Sequence, residues 1–253
     1  MIIIKRLKLL MFISTLFSIV SLSSLNVHAA GWGYSKNPNH LIPEIGKYQT
    51  IIAGTNSFYV GNDEKEIYLT FDSGYDNGVL NDILDILKEK NVKASFFITG
   101  DFVKRFPELT IRLGQEGHTV CNHTYTHRQI TKLSVDELKS DLDKLNNAYF
   151  QLTNMKMSNC IRPPEGVFDR NSLLNLQKLG YKTVFWSIAY CDWNENNQKS
   201  IEACRKAVID NLHNGAIILL HSVSKTNRDA LGIIIDDIVS LGYTFNSVDE
   251  LGK

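Results

Sequence analysis

Glu66-Ile-Tyr-Leu-Thr-Phe71, then Val79 to Lys90, then Ala94-Ser-Phe-Phe-Ile98 is the stretch whose reading decides the fold. Its first and third pieces are short apolar runs rich in β-formers, which read as strands. The middle piece places Leu80, Ile83, Leu84 and Leu87 at helical spacing, an apolar stripe along one side of a helix. Strand, helix, strand is the repeating unit of a parallel sheet.

The alternation runs on to the end of the chain. Phe102 to Glu116 reads as a helix with an irregularity at Pro107, and His118 to Cys121 as a strand. Ser134-Val-Asp-Glu137 is a capping-box signature that opens a helix to about Leu152. A strand over Cys160 to Arg162 precedes a helix over Arg170 to Leu179, closed by Gly180. A strand over Lys182 to Ile188 precedes a helix over Ser200 to His213, and a strand over Ala216 to His221 precedes a helix over Asp229 to Leu241. Tyr243 to Val248 is the last strand. About seven strands separated by helices imply parallel β-α units, in an open doubly wound sheet or a barrel. The near-continuous units favour barrel-like, incomplete closure. Residues 30–63 precede this pattern as an extension with Gly, Pro and Asn and two short apolar runs, expected to form a loop and a small hairpin.

The first 29 residues have another purpose. Lys5, Arg6 and Lys8 precede an apolar stretch from Leu9 to Leu25, and Val27-His28-Ala29 supplies small residues before a cleavage point. That is the layout of a secretory signal peptide, so an exported protein is expected, with no stable membrane span once the leader is removed. The 253-residue chain balances 27 basic against 27 acidic residues. No basic stripe suggests nucleic acid as a partner, and a monomer is expected. The four cysteines, Cys121, Cys160, Cys191 and Cys204, match no zinc-knuckle spacing, and most are expected to be buried free thiols.

Polar residues fall where such a fold concentrates chemistry. Asp72 follows the first strand, His123 and His127 the third, Arg162 ends the fourth, Asp192 and Trp193 follow the fifth, and His221 ends the sixth. In parallel β-α folds the carboxyl ends of the strands share one face, and that face carries the active site. Taken singly, Asp72 is an ordinary turn residue, His221 a core histidine, Arg162 an ion-pair partner and the two histidines a polar loop. Together they supply what amide or ester hydrolysis needs: a base, an acid, an orienting arginine and two imidazoles four residues apart that suit one zinc-like ion.

Thr70-Phe-Asp72-Ser-Gly74, His123-Thr-Tyr-Thr-His127, Arg162-Pro-Pro164, Asp192-Trp193 and Ile218-Leu-Leu-His221 stand in the order of the NodB-homology polysaccharide deacetylases. The resemblance covers about residues 64–250. It implies an α/β fold, a distorted, incomplete (β/α) barrel. By the same resemblance Asp72 is the general base, His123 and His127 are metal ligands, Arg162 orients the base, and Asp192 tunes His221, the general acid. Trp193 and Leu219 would wall the acetyl pocket, and Tyr190 and Glu165 would meet substrate. The implied cofactor is a divalent metal, zinc, with cobalt and manganese as alternatives.

Three positions depart from the family pattern. Ser73 stands where a second aspartate usually ligates the metal, Glu165 where an aromatic often follows the prolines, and Ser222 where an aspartate often follows the histidine. A serine hydroxyl is a poor substitute for a carboxylate on a divalent cation, so water completing the shell with weakened binding is expected, and Asp76 reaching in is the alternative. These departures, with Phe185-Trp-Ser-Ile-Ala-Tyr190 and Gly31-Trp-Gly-Tyr34, resemble the muramic de-N-acetylases that form the δ-lactam of spore-cortex peptidoglycan. The expected substrate is then a peptidoglycan glycan strand with peptide-free muramic residues, whose lactyl carboxylate Lys225 or Arg170 would receive. An N-acetylglucosamine deacetylase acting on peptidoglycan or chitin, an acetylxylan esterase, or an inactive glycan-binding protein are the alternatives.

Overall fold

The computed structural model describes residues 29–36 and 39–253, so the expected leader over residues 1–29 lies outside the described residues except for Ala29. The chain runs β1 (Ala30–Gly31), α1 (Tyr48–Ile52), β2 (Ser57–Phe58), β3 (Glu66–Ser73), α2 (Leu80–Glu89), β4 (Ser95–Ile98), α3 (Gly100–Arg105), α4 (Pro107–Gln115) and β5 (Thr119–Asn122). It continues through α5 (Val135–Thr153), β6 (Cys160–Ile161), β7 (Val167–Phe168), α6 (Arg170–Lys178), β8 (Lys182–Val184), α7 (Ile201–Ile209), β9 (Ile217–His221), α8 (Lys225–Ser240) and β10 (Thr244–Phe245).

Eight strands make one sheet in which every pairing is parallel. The order β9-β3-β4-β5-β6-β8-β2 carries it round, and β10 pairs the first two residues of β3. The seam between β8 and β9 is closed only by single bridges, Ile188 to Ile218 in parallel and Val60 to Ala216 antiparallel. That seam is why the barrel is distorted and incomplete, as the sequence led us to expect.

Side-chain alternation along the strands builds two layers. Tyr68, Phe97, Cys121, Cys160, Val184 and Ile217, one from each of six strands, fill the interior together with Val248 and Leu251 near the C-terminus. The neighbours Ile67, Leu69 and Phe71 join a larger cluster that includes Ile83 and Leu87 of α2 and Leu231 and Ile234 of α8. Each fully buried Leu, Ile or Phe contributes roughly 1.5–3 kcal/mol, so the core needs no covalent staple. All four cysteines are free; three are buried and Cys191 is exposed.

Several elements differ from the sequence reading for identifiable reasons. The helix expected over Phe102 to Glu116 is two helices, because Pro107 opens α4 at its first turn. The last long helix begins at Lys225 rather than Asp229, because the Ser224 hydroxyl accepts from Asn227 N and caps it. The extension does more than form a Ser35–Glu44 antiparallel bridge. It contributes β2 to the main sheet, and β1 pairs antiparallel with β7. No helix among the described residues is long and apolar enough to cross a membrane.

Candidate active site

The rim at the carboxyl ends of the strands is organised around a buried arginine. Arg162 follows β6 and is fully buried. Its Nε donates to Val184 O (3.1 Å), its Nη2 to Thr70 Oγ1 (2.9 Å) and Phe185 O (3.3 Å), and its Nη1 to Asp72 Oδ1 (2.7 Å). The guanidinium also lies 4.1 Å over the Phe97 ring. A planar fork satisfied on every side fixes the carboxylate beside it. Burial alone would raise the Asp72 pKa, but the charges of Arg162, His123 and His221 and the Arg162 hydrogen bond outweigh it and hold Asp72 below the usual carboxylate range. Asp72 Oδ1 is thereby committed, while Oδ2 faces His123 Nε2 at 3.7 Å.

His123 is equally constrained. Its Nδ1 donates to the Arg162 carbonyl at 2.8 Å, which leaves Nε2 free. Burial is the main cause that pushes its pKa down to about 4, so the ring is neutral and able to ligate. The His127 ring stands edge-on to it, with centroids 4.9 Å apart at 68°. The loop between them is strained, since Thr124 (φ 64°) and His127 (φ 53°) both occupy the left-handed region. Asn122 and Asp141 hold it: Asn122 Oδ1 accepts from Thr124 N, and Asp141 accepts from Tyr125 N and from the backbone and hydroxyl of Thr126.

The donor set of these two imidazoles beside a carboxylate oxygen fits a divalent ion held by few protein ligands. Ser73 does not complete it. Its hydroxyl is fully buried and donates to Ser222 Oγ at 2.9 Å. Asp76 does not complete it either, because its carboxylate accepts from Gly78 N and Leu80 N at the start of α2. Among the described residues no three His, Cys, Asp or Glu side chains converge as a closed metal centre.

On the other side of Asp72, His221 Nδ1 donates to Asp192 Oδ1 at 2.7 Å, and His221 N donates to Asp192 Oδ2 at 2.8 Å. Asn227 Nδ2 donates to the same Oδ2 at 2.6 Å, and its own Oδ1 accepts from Tyr190 Oη. Burial works against a charged His221, but the hydrogen bond and charge of Asp192, with the charge of Asp72, raise its pKa above the ordinary histidine value. The protonated ring is favoured, with Nε2 left for chemistry.

A cavity of about 790 Å³ opens over these groups, lined by Asp72, His123, His127, His221, Leu219, Trp193, Tyr190 and Glu165. A second, of about 440 Å³, shares Asp72, both histidines, Trp193 and His221 and runs past Tyr75, Thr99, Asp101 and Arg105. Arg162 and Asp192 stand behind the cavities as supports. Tyr190 lines the first cavity but spends its hydroxyl on Asn227. Glu165 reaches the wall from a left-handed backbone (φ 59°) and accepts from Gln129 Nε2 at 2.6 Å. Neither cation named from the sequence lines either cavity. Arg170 donates to the carbonyls of Thr50, Ile51 and Ala53 at the end of α1, and Lys225 adds its charge to the hydrogen bonds from Tyr75 and Asn77 that hold the Glu195 pKa down.

Sequence reasoning missed Trp32, Gly33, Tyr34 and Lys36, which form part of the cavity wall, and Asn227, which holds Asp192. The apolar Gly31-Trp-Gly-Tyr34 start is a visible signal, but nothing local says where it docks.

A sequence profile of the family described as polysaccharide deacetylase matches residues 60–184. The chain is 43% identical over 222 residues to the peptidoglycan-N-acetylmuramic acid deacetylase PdaA of Bacillus subtilis, covering 87% of this chain and 84% of that one. It is 33% identical over 210 residues to the peptidoglycan-N-acetylglucosamine deacetylase PgdA of Listeria monocytogenes, covering 83% of this chain and 41% of that one. The solved structure of Bacillus subtilis PdaA, a family 4 carbohydrate esterase, superposes with a TM-score of 0.85 at 43% identity over 88% of this chain and 97% of that one.

Proposed function

This chain belongs to the polysaccharide deacetylase family, enzymes that hydrolyse N-acetyl groups on amino sugars, and from that membership we propose that its substrate is the N-acetylmuramic acid of peptidoglycan. The finer reading is a muramic residue already stripped of its peptide, deacetylated outside the cytoplasm on the way to the δ-lactam of spore cortex. It is supported by 43% identity to PdaA across most of both chains. The observation that carries the chemistry is the placing of Asp72 and His221 side by side on one cavity, each with its own buried partner.

Asp72 Oδ2, the oxygen that Arg162 leaves unbonded, takes the proton from the attacking water. The fixed Arg162 fork keeps that oxygen aimed as charge moves through it. His221 Nε2 holds a proton for the departing nitrogen, because an amine leaves poorly unless protonated. Asp192 keeps the His221 ring oriented and charged until the C–N bond breaks. Leu219 and Trp193 wall the site against the acetyl methyl. His123 and His127 would hold a divalent ion, zinc or alternatively cobalt or manganese, and when bound that ion supplies Lewis acidity and lowers the pKa of water.

The test digests defined peptidoglycan, with and without stem peptides, using purified protein and added zinc, cobalt or manganese. Mass spectrometry then locates the lost acetyl. Loss from peptide-free muramic residues supports the reading. Loss only from glucosamine residues transfers the assignment to the activity named for PgdA, with which the chain shares 33% identity. No loss with any metal leaves glycan binding as the function.

A further inference from the structure

The 790 Å³ cavity carries two charges that the chemistry above does not use, Lys36 and Glu165. Lys36 makes no hydrogen bond or ion pair among the described residues. The strap that bears it is nevertheless firmly placed. Trp32 stacks on Phe185 (centroids 4.3 Å apart, 15° between planes), donates Nε1 to Trp186 O at 2.9 Å, and donates its backbone N to Gly166 O at 2.8 Å. Tyr34 Oη accepts from Ala189 N at 2.6 Å. Two residues before Lys36, the strap is thus tied to the segment that leads into Tyr190 and Asp192.

Lys36 is exposed at the edge of this cavity, and a cation whose donors have no protein partner is free to receive an anion through a charge-assisted hydrogen bond. The other lysine or arginine that lines these cavities, Arg105, is paired with Asp101 at 3.1 Å. The other charge, Glu165, is anchored by Gln129 and repels anions. A sugar carrying one carboxylate would therefore be drawn toward Lys36 and away from Glu165. Those two charges would set which way round it lies over Asp72 and His221.

We propose that Lys36 is a specificity-determining residue that receives an anionic substituent on the sugar being deacetylated, the carboxylate of an ether-linked lactyl group. The proposal rests on the muramic reading above and supplies the cation that Arg170 and Lys225 do not.

The experiment uses the purified protein and two glycans. One is peptide-free peptidoglycan strand with free lactyl carboxylates; the other is the same strand with those carboxylates converted to neutral amides. The ratio of kcat/KM between the two is measured for wild type, Lys36→Ala, Lys36→Glu and Lys36→Arg. Loss of a charge-assisted contact is expected to lower that ratio about tenfold in Lys36→Ala, further in Lys36→Glu, and little in Lys36→Arg, with the change in KM rather than kcat. A ratio that Lys36→Ala and Lys36→Glu leave at the wild-type value overturns the proposal. So does a wild type that deacetylates muramic residues of both glycans alike, and in that case the muramic reading stands. Deacetylation confined to glucosamine residues overturns the muramic reading first and the proposal with it.

Discussion

Asp72 and His221 are register partners on the neighbouring parallel strands β3 and β9. Partners in register project to the same face, so one local pairing delivers the proposed base and the proposed acid together at the rim. Each is then polarised by a group from elsewhere, Asp72 by Arg162 and His221 by Asp192. The expected consequence is that both are required. Asp72→Asn and His221→Ala should each lower turnover by at least about a hundredfold, with far-UV circular dichroism close to wild type. Near-normal turnover in either purified variant would remove that residue from the mechanism.

Arg162 offers a test of stability as well as rate. It is fully buried, and Asp72 is its only anionic partner within 4 Å among the described residues. Arg162→Ala leaves the largely enclosed Asp72 carboxylate without its cation and takes the guanidinium donors away from the carbonyls of Val184 and Phe185. Breaking a buried pair in this way costs about 3–5 kcal/mol. Urea unfolding should show the midpoint falling accordingly, together with loss of turnover. A variant as stable as wild type would mean that water replaces the guanidinium.

The His221–Asp192 pair fixes the sign of a pH effect. The His221 pKa is raised, and the acid acts only when protonated. The alkaline limb of the kcat profile should therefore lie above the ordinary histidine value. Asp192→Asn removes the charge that offsets burial, so the limb should move to lower pH. The same linkage stabilises the fold fully below the unfolded histidine pKa and is lost as pH rises through the raised folded value. A limb that stays in place in Asp192→Asn would assign it to another group.

Ser73 makes metal affinity adjustable. Its hydroxyl is spent on Ser222, which leaves His123 and His127 as the proposed protein ligands. A carboxylate at this position offers a hard, charged donor in place of a neutral hydroxyl, and Ser222 Oγ could donate to it and orient it. Calorimetric titration with zinc should show weak binding in wild type, tighter binding in Ser73→Asp, and none in His123→Ala. Equal affinities in wild type and His123→Ala would place the ion elsewhere.

What was legible in the sequence was whatever a strand end encodes. Asp72, Arg162 and His221 each follow an apolar run, so the parallel architecture alone places them on one rim. The Trp32–Lys36 strap was not legible, since it reaches the cavity through contacts with Phe185, Trp186 and Ala189, more than 150 residues along the chain. Arg170 and Lys225 were misplaced for the converse reason. Nearness to a rim loop in sequence says nothing about direction, and Arg170 is turned onto the end of α1. Ser73 was legible as a missing carboxylate, but its bond to Ser222 belongs to the register of β3 against β9.

Asp141 on α5 anchors the loop that carries the two proposed metal ligands, His123 and His127. It touches neither histidine, yet it accepts from Tyr125 N, Thr126 N and Thr126 Oγ1, in the loop between His123 and His127. That loop needs an anchor, because Thr124 is β-branched at φ 64° and its buried hydroxyl has no partner. Residues in that region cost of order 1–3 kcal/mol and persist only where surroundings hold them. Asp141→Ala should let the loop relax and pull His127 out of register with His123. Loss of such an outer support typically costs about 10–100-fold in metal affinity. The drop should appear in a zinc titration, while Asp141→Asn, which can still accept from Tyr125 N, should recover part of it. Unchanged affinity in Asp141→Ala would mean that Asn122, through Thr124 N, is enough to hold the loop.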